Sequence, residues 1–444
     1  MMKKAGSLFL LAAGLAGGIS AQEKERPKGV RELDHVFLIV MENHGYEQVF
    51  GNPNEPYLNS LIASGKVNLS TNYFAIGHPS LTNYLEIVGG SNFGVRSDND
   101  PAWHSKSCTP NLISGAVNAD NFGGNKPANI TLDGGNVCPI AGTGMDALTE
   151  AVDNWNEVTP PTFNFLANLD GVKSVPAGHT AGISIADQLV RAGLSWKSYQ
   201  ENLPLSGADG VNYSNGTVSN LDFDSNGNNS LLAPLTASSV VKAYAAKHNP
   251  FVYFQSVQEA WGHHNSLNNV VGFDGARGLY ADLATGDVPS LAFIAPSQCD
   301  DQHGRGNGDA FCAFDFGLPP SDLTSGTTAG LNPGLMLQGD VTLERLVKSI
   351  KASPAWREGH NAIVIVWDEN DYSGLTTNGP FPRKNQNNVV LTVEPSRDTT
   401  GVTSNTYYNS FSLLKSLEAG FGLPCLNHAC DPGVAVMSDL FGSH

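Results

Sequence analysis

His35-Val36-Phe37-Leu38-Ile39-Val40-Met41, followed at once by Glu42-Asn43-His44, is the stretch that decides the fold. After His35 the run is apolar throughout and has strand length. Polar and apolar positions do not alternate, so both faces must be buried, as in the inner strands of a parallel sheet. A second run, Ala362-Ile363-Val364-Ile365-Val366-Trp367, has the same character and ends in Asp368-Glu369-Asn370-Asp371. A carboxylate at the end of a buried strand is costly unless it is paired or bound to a cation. Two such ends imply that the chain gathers hard oxygen donors at the carboxyl edge of a sheet, where open α/β folds place their active sites.

Working outward, strand patterns cover 67–74, 194–199, 251–257, 291–295 and 389–393. Helical patterns cover 80–88, 183–192, about 275–283, 340–352 and 407–419, the last stopped by Gly420. Strands alternating with helices predict an α/β fold: a three-layer α/β/α sandwich around a mainly parallel sheet. One domain over 32–444 accounts for the pattern, with Gly/Asn/Ser-rich insertions at about 96–142 and 204–235. No internal repeat is visible.

The chain has 444 residues and a net charge of −17, which argues against nucleic-acid partners. Lys3 and Lys4, an apolar stretch over 7–18 and the small pair Ser20-Ala21 form the layout of a cleavable leader over 1–21, with a linker over 22–31. No later segment reaches membrane-spanning length. The expected location is therefore secreted or periplasmic, with no integral membrane segment once the leader is removed. Six cysteines agree with export. They allow 15 pairings, of which the local set 108–138, 299–312 and 425–430 is the most economical.

Ser80, in His78-Pro79-Ser80-Leu81-Thr82-Asn83-Tyr84, stands where a helix begins, so its hydroxyl lies near unpaired amides that favour an anionic phosphoryl group. A helix-capping serine is the plain alternative. Glu42, Asp368 and Glu369 are hard ligands suited to Mg²⁺, Ca²⁺ or Mn²⁺, and acceptable to Zn²⁺. Asp300-Asp301-Gln302-His303 follows the 291–295 strand and offers a histidine able to move a proton near neutrality. His264, in the loop after 251–257, is a further candidate for reaching substrate. Phosphoryl transfer needs a nucleophile, neutralisation of the phosphoryl oxygens and a proton donor for the leaving oxygen. Ser80, one carboxylate-held divalent metal ion and His303 would supply these. Acyl hydrolysis would instead want a Gly-x-Ser-x-Gly elbow, which is absent here. Asp222-Phe223-Asp224-Ser225-Asn226-Gly227 begins like a calcium loop, but Ala233 stands where the bidentate Glu belongs, so a metal-free turn is expected. Asn-x-Ser/Thr sequons stand at Asn68, Asn129, Asn212, Asn215 and Asn228.

Glu42-Asn43-His44-Gly45-Tyr46, the segment around Ser80, Asp301-Gln302-His303 and Trp367-Asp368-Glu369 resemble, in this order, the motifs of the bacterial and fungal phosphoesterase family. That family holds secreted acid phosphatases and phospholipases C within the alkaline phosphatase superfamily. Lys247-His248-Asn249-Pro250-Phe251 and Phe421-Gly422-Leu423-Pro424 extend the resemblance over nearly the whole chain. It implies an alkaline-phosphatase-like fold. It also implies that Glu42, Asn43, Asp368 and Glu369 bind the metal and that Ser80 is a nucleophile forming phosphoserine. Asn83 and Asn43 would contact the phosphate, and His303 would assist the leaving group. Thr82 replaces the proline usual before this Asn, and Asn370-Asp371 replaces the Gly-rich, His-containing run of phospholipases C, which points to the acid phosphatase branch. The expected activity is hydrolysis of phosphate monoesters, with a small-molecule or lipid phosphate ester as substrate. A phospholipase C-type phosphodiesterase and a catalytically inactive binding protein on the same fold are the alternatives.

Overall fold

The structure is a computed structural model that describes residues 26–77, 79–95, 98–99, 101, 137–145, 150–151, 174–175, 178–203, 243–262, 264–304, 331–370 and 387–442. The leader, the calcium-like loop, both insertions for most of their length, His78, His263, Asp371, Cys108, Cys312 and the sequons after Asn68 lie outside these residues.

A nine-stranded sheet organises the chain. Its strands are β1 (His35–Met41), β2 (Asn68–Phe74), β3 (Trp196–Gln200), β4 (Val270–Val271), β5 (Leu291–Ala295), β6 (Asn361–Trp367), β7 (Asn388–Pro395), β8 (Thr403–Ser404) and β9 (Tyr408–Asn409). The order is β8-β2-β7-β6-β1-β5-β3-β4, with β9 also pairing β2. β1 lies between β6 and β5 and is parallel to both, in register from His35↔Asn361 to Met41↔Trp367. β7 is antiparallel to β6 and β2, within the mainly parallel sheet that the sequence predicts. Because β7 reverses direction once on each side, β2 runs in the same sense as β1. The loop leaving Phe74 therefore emerges at the carboxyl edge and delivers Ser80 there.

Every residue of β6 is buried, as is all of β1 after His35. Successive strand residues point to opposite faces, so both faces are covered, and this makes the sandwich three-layered. The covering helices are α1 (Pro56–Ala63), α2 (Ser80–Gly89), α3 (Ile185–Arg191), α4 (Leu279–Thr285), α5 (Pro333–Ala352) and α6 (Ser410–Gly420). α2 packs on α6, and α5 packs on α1 and α4. α5 begins earlier than its apolar pattern suggested. Asn332 caps it by accepting from the Gly334 and Leu335 amides, and Pro333 supplies a helix-ready φ.

Residues 251–257, expected as a strand, form instead a 3-10 turn over Pro250–Tyr253 and a short helix over Gln255–Gln258. Pro250 has no N–H for a ladder and fixes φ for a turn. The apolar run is buried through its rings: Phe251 lies 4.6 Å from Trp196 and 5.4 Å from Phe293, centroid to centroid. Asn68, a sequon, is fully buried in β2. Its side chain bonds Thr399, Leu440 and Val402, so it cannot carry a glycan in this fold.

Cys425 and Cys430 form a disulfide. Cys138 and Cys299 are disulfide-bonded as well, and their expected partners Cys108 and Cys312 are among the undescribed residues. Among the described residues no helix is long and apolar enough to cross a membrane.

Candidate active site

The ends of β1, β6 and β5 build one site. The Asp368 amide donates to Met41 O at 3.0 Å, and the Glu42 amide donates to Asp301 O at 3.0 Å, so the three exits are laced together by backbone. Glu42, Asp301, Asp368 and Glu369 are all buried there. Asn43 follows at φ 60°, a left-handed conformation that Asn tolerates better than most residues. This turn aims its amide at Asp368 Oδ1, 2.9 Å away.

α2 brings Ser80 to the cluster. Pro79 is the cap residue and makes no side-chain bond, so Ser80 is the first helical residue and not the cap. Asp98 takes over part of the capping work by accepting the Leu81 amide at 3.0 Å. The Ser80 hydroxyl is thus released to the carboxylates, with Oγ 3.0 Å from Glu369 Oε1 and 3.2 Å from Glu42 Oε2. One hydroxyl proton can satisfy only one of these acceptors. In the next turn of α2, the Tyr84 hydroxyl donates to Glu42 Oε1.

His248 closes the other side. Its Nε2 lies 3.2 Å from Glu42 Oε1 and its Nδ1 3.3 Å from Asp301 Oδ2, so the ring bridges two carboxylates. Tyr84 stacks on it at 5.4 Å with planes 8° apart. Lys247 is buried and pairs with Asp98 at 3.0 Å. Burial pulls its ammonium down, but Asp98 and Glu42 outweigh this and its pKa rises, so it stays charged.

Burial, then the charge of Asp368, pushes Glu42 well above the usual carboxylate range. Burial likewise raises Asp301, and pushes Asp368 up to about 7. These shifts describe a cluster with too little positive charge. Asp368 Oδ2 is buried and accepts no hydrogen bond among the described residues. Four buried carboxylates, an orphaned oxygen and a hydroxyl between two acceptors fit a bound hard cation. Glu42, His248 and Asp301 also place one ligand atom each within 4.8 Å of one another, so the donor set extends past the residues singled out in the sequence.

Of the candidates from sequence, Glu42, Asn43, Ser80, Asp368 and Glu369 come together. His303 joins them: its amide donates to Asp301 Oδ1 at 2.8 Å, and its ring lies 6.2 Å from that of His248. Its Nδ1 faces the Gly304 carbonyl at 2.8 Å, so in the neutral ring Nδ1 carries the hydrogen and Nε2 is the basic nitrogen. Asn83 is also present, with its side chain bonded within the protein. Its Oδ1 accepts from the Ile76 and Gly77 amides, and its Nδ2 donates to Gly77 O and Glu369 Oε2. All four hydrogen-bonding positions are used there, which ties Glu369 to the loop before Ser80.

His264 lies elsewhere. It is exposed and lines a surface cavity with Ser195, Trp196, Pro289 and Ser290, the residues at the starts of β3 and β5. That is the opposite edge of the sheet. The substrate contact expected of it rested on a strand over 251–257 that does not exist. Asp301 stands in the strand-end cluster after 291–295 but, like Tyr84, Lys247 and His248, received no role of its own from the sequence. Only the resemblance of the Lys247-His248-Asn249-Pro250 segment marked it out.

The model of the Phosphoesterase family matches residues 52–312. The chain belongs to the Phosphoesterase family. Ser80, Asn83, His248, Asp301 and His303 fall inside the match, while Glu42, Asp368 and Glu369 lie outside it. Among curated proteins, this member of the family is similar to an acid phosphatase of Aspergillus fumigatus, with 22% identity over 395 residues, 89% of this chain and 56% of that protein. A probable acid phosphatase of Kluyveromyces lactis is 23% identical over 88% of this chain and 58% of its own length. The chain thus spans little more than half the length of these relatives. A phosphatidylinositol-3-phosphatase of Mycobacterium tuberculosis is 35% identical over 85 residues, 19% of this chain and 27% of that protein. Among solved structures, the chain is similar to an alkaline phosphatase superfamily protein from Vibrio parahaemolyticus, with TM-score 0.41, 11% identity, and 92% of this chain and 72% of that chain covered.

Proposed function

We propose that the protein is an exported, metal-dependent acid phosphatase that hydrolyses phosphate monoesters through a phosphoserine on Ser80. The observation that carries this reading is the Ser80 hydroxyl set between Glu42 and Glu369 with Asp368 alongside, buried at the start of a helix. Glu42, Asp368 and Glu369 would hold the cation, with Asn43 beside it. Bound there, a divalent ion supplies Lewis acidity toward a phosphoryl oxygen and lowers the pKa of a neighbouring hydroxyl.

The chain's own groups account for the remaining steps. Ser80 Oγ loses its proton to one of the two carboxylates it touches, and its oxygen forms the new bond to phosphorus as the bond to the leaving oxygen breaks. His303, protonated at Nε2, delivers the proton that the leaving oxygen needs. The same nitrogen then takes a proton from a water whose oxygen forms a bond to phosphorus as the bond to Ser80 Oγ breaks; the carboxylate returns its proton to Oγ, and inorganic phosphate leaves. Lys247 offsets part of the negative charge throughout. The names of the fungal relatives support a phosphomonoesterase, and the mycobacterial relative's name keeps a lipid phosphomonoester among the substrates. Export is supported by the disulfide-bonded cysteines and by the leader-like layout at the N-terminus.

The test is turnover of p-nitrophenyl phosphate, bis-p-nitrophenyl phosphate and phosphatidylcholine by the metal-loaded protein, with acid quench to trap phosphoserine. Preferred hydrolysis of the monoester with label on Ser80 is expected. Preference for either diester would replace this reading with a phospholipase C-type one, and no turnover with retained metal would indicate a binding protein.

A further inference from the structure

Gln302 stands between Asp301 and His303, and its side chain points away from both. It is fully buried and has φ 84°, a left-handed conformation that a glutamine adopts only under constraint. Its Oε1 accepts the Trp367 indole N–H at 2.9 Å, and its Nε2 donates to Glu55 Oε1 and, at 3.3 Å, to Met336 O. Trp367 is the residue before Asp368, Glu55 is the cap residue of α1, and Met336 lies in α5. Gly339, one turn further along α5, leaves the room. A Cβ there would stand 2.3 Å from Gln302 Cγ.

We infer that Gln302 is a positioning residue that sets Asp301 and His303 against Asp368 and Glu369. It does so by pegging the loop after β5 to the last residue of β6 and to α1 and α5. The inference deepens the phosphatase reading and rests on it for its kinetic half. The backbone conformation that turns the Gln302 side chain inward turns its two neighbours toward the carboxylate cluster. The His303 amide then closes on Asp301 Oδ1. A lost peg would let the loop relax by a fraction of an ångström, a displacement that costs an active site about ten- to a hundredfold in rate.

Three variants disturb the peg without touching the cluster. Trp367→Phe keeps a ring and removes the donor to Oε1, Gln302→Met keeps length and loses all three polar contacts, and Gly339→Ala intrudes from α5. In each folded variant, kcat for an alkyl phosphate is expected to fall about tenfold or more with KM nearly unchanged. On a His303→Ala background the same change should add little, because the two act as a unit. Independently of turnover, hydrogen exchange over 297–304 should quicken in each variant. Wild-type exchange in this segment, or losses fully additive with His303→Ala, would overturn the inference. If wild-type protein hydrolyses no phosphate ester, the phosphatase reading fails while the exchange measurement still decides the peg. If one variant does not fold, the other two decide it.

Discussion

His248 Nε2 lies 3.2 Å from Glu42 Oε1, joining two residues that stand 206 positions apart in the chain. Its other nitrogen reaches Asp301 at 3.3 Å, so one imidazole separates two carboxylates that would otherwise repel each other in a buried space. His248→Ala should remove this separation and leave both acids buried without it. The expected cost is about 1–3 kcal/mol, the usual penalty for leaving buried polar groups without their partner. Chemical denaturation of the metal-free variant measures it, and a change below about 1 kcal/mol would show that the bridge contributes nothing.

Ser80→Ala should abolish turnover while the protein stays folded. Ser80 is not the cap of its helix, so its loss is expected to shift stability by no more than about 1–2 kcal/mol. Activity should fall by more than about 10³-fold, and added metal should not restore it. Near-wild-type turnover would leave direct attack by water as the route.

Metal binding should depend on pH through Asp368. Burial holds its carboxyl protonated up to about pH 7 in the metal-free protein, whereas the unfolded chain loses that proton near about pH 4. The folded state therefore binds the extra proton across that window, and the group lowers metal-free stability as pH rises through it. A cation requires the carboxylate, so its affinity should rise over the same window and its binding should release protons at about pH 6. Calorimetry in two buffers detects the protons. The gap in Tm between metal-loaded and chelator-treated protein should widen from about pH 5 to about pH 8. Asp368→Asn should lose metal and activity together, with partial rescue at high metal concentration.

His303→Ala should slow alkyl phosphates more than p-nitrophenyl phosphate, because nitrophenolate leaves without a proton. Equal losses across a series of leaving groups would assign His303 to the phosphoryl oxygens instead.

Reduction should raise the intact mass by about six hydrogens, two for each of three disulfides. Cys425–Cys430 accounts for one pair, and Cys138 and Cys299 belong to the others.

An unbroken apolar run records burial on both faces, so the centre of the sheet was legible from residue order alone, and with it Glu42, Asp368 and Glu369 as candidate metal ligands. Glu42 and Asp368-Glu369 stand out because acids at such ends need a reason. Ser80 was legible as a helix start, though Pro79 and Asp98 take the capping that a serine there would be expected to do. What the sequence could not show was decided by long-range geometry. The aromatic run after Pro250 reads as apolar whether it forms a strand or a buried turn; Pro250 favours the turn, and packing against Trp196 and Phe293 buries its rings. That choice removed His264 from the site. His248, in contrast, reached Glu42 through the turn just before Pro250; the segment's family resemblance marked it, but no local pattern gave it a role. The antiparallel β7 likewise looks like any inner strand, yet its direction places β2 parallel to β1 and Ser80 at the carboxyl edge. Strand patterns report burial, which is local. Strand direction and the meeting of side chains from different loops are set by the whole sheet, so they appear only once it has folded.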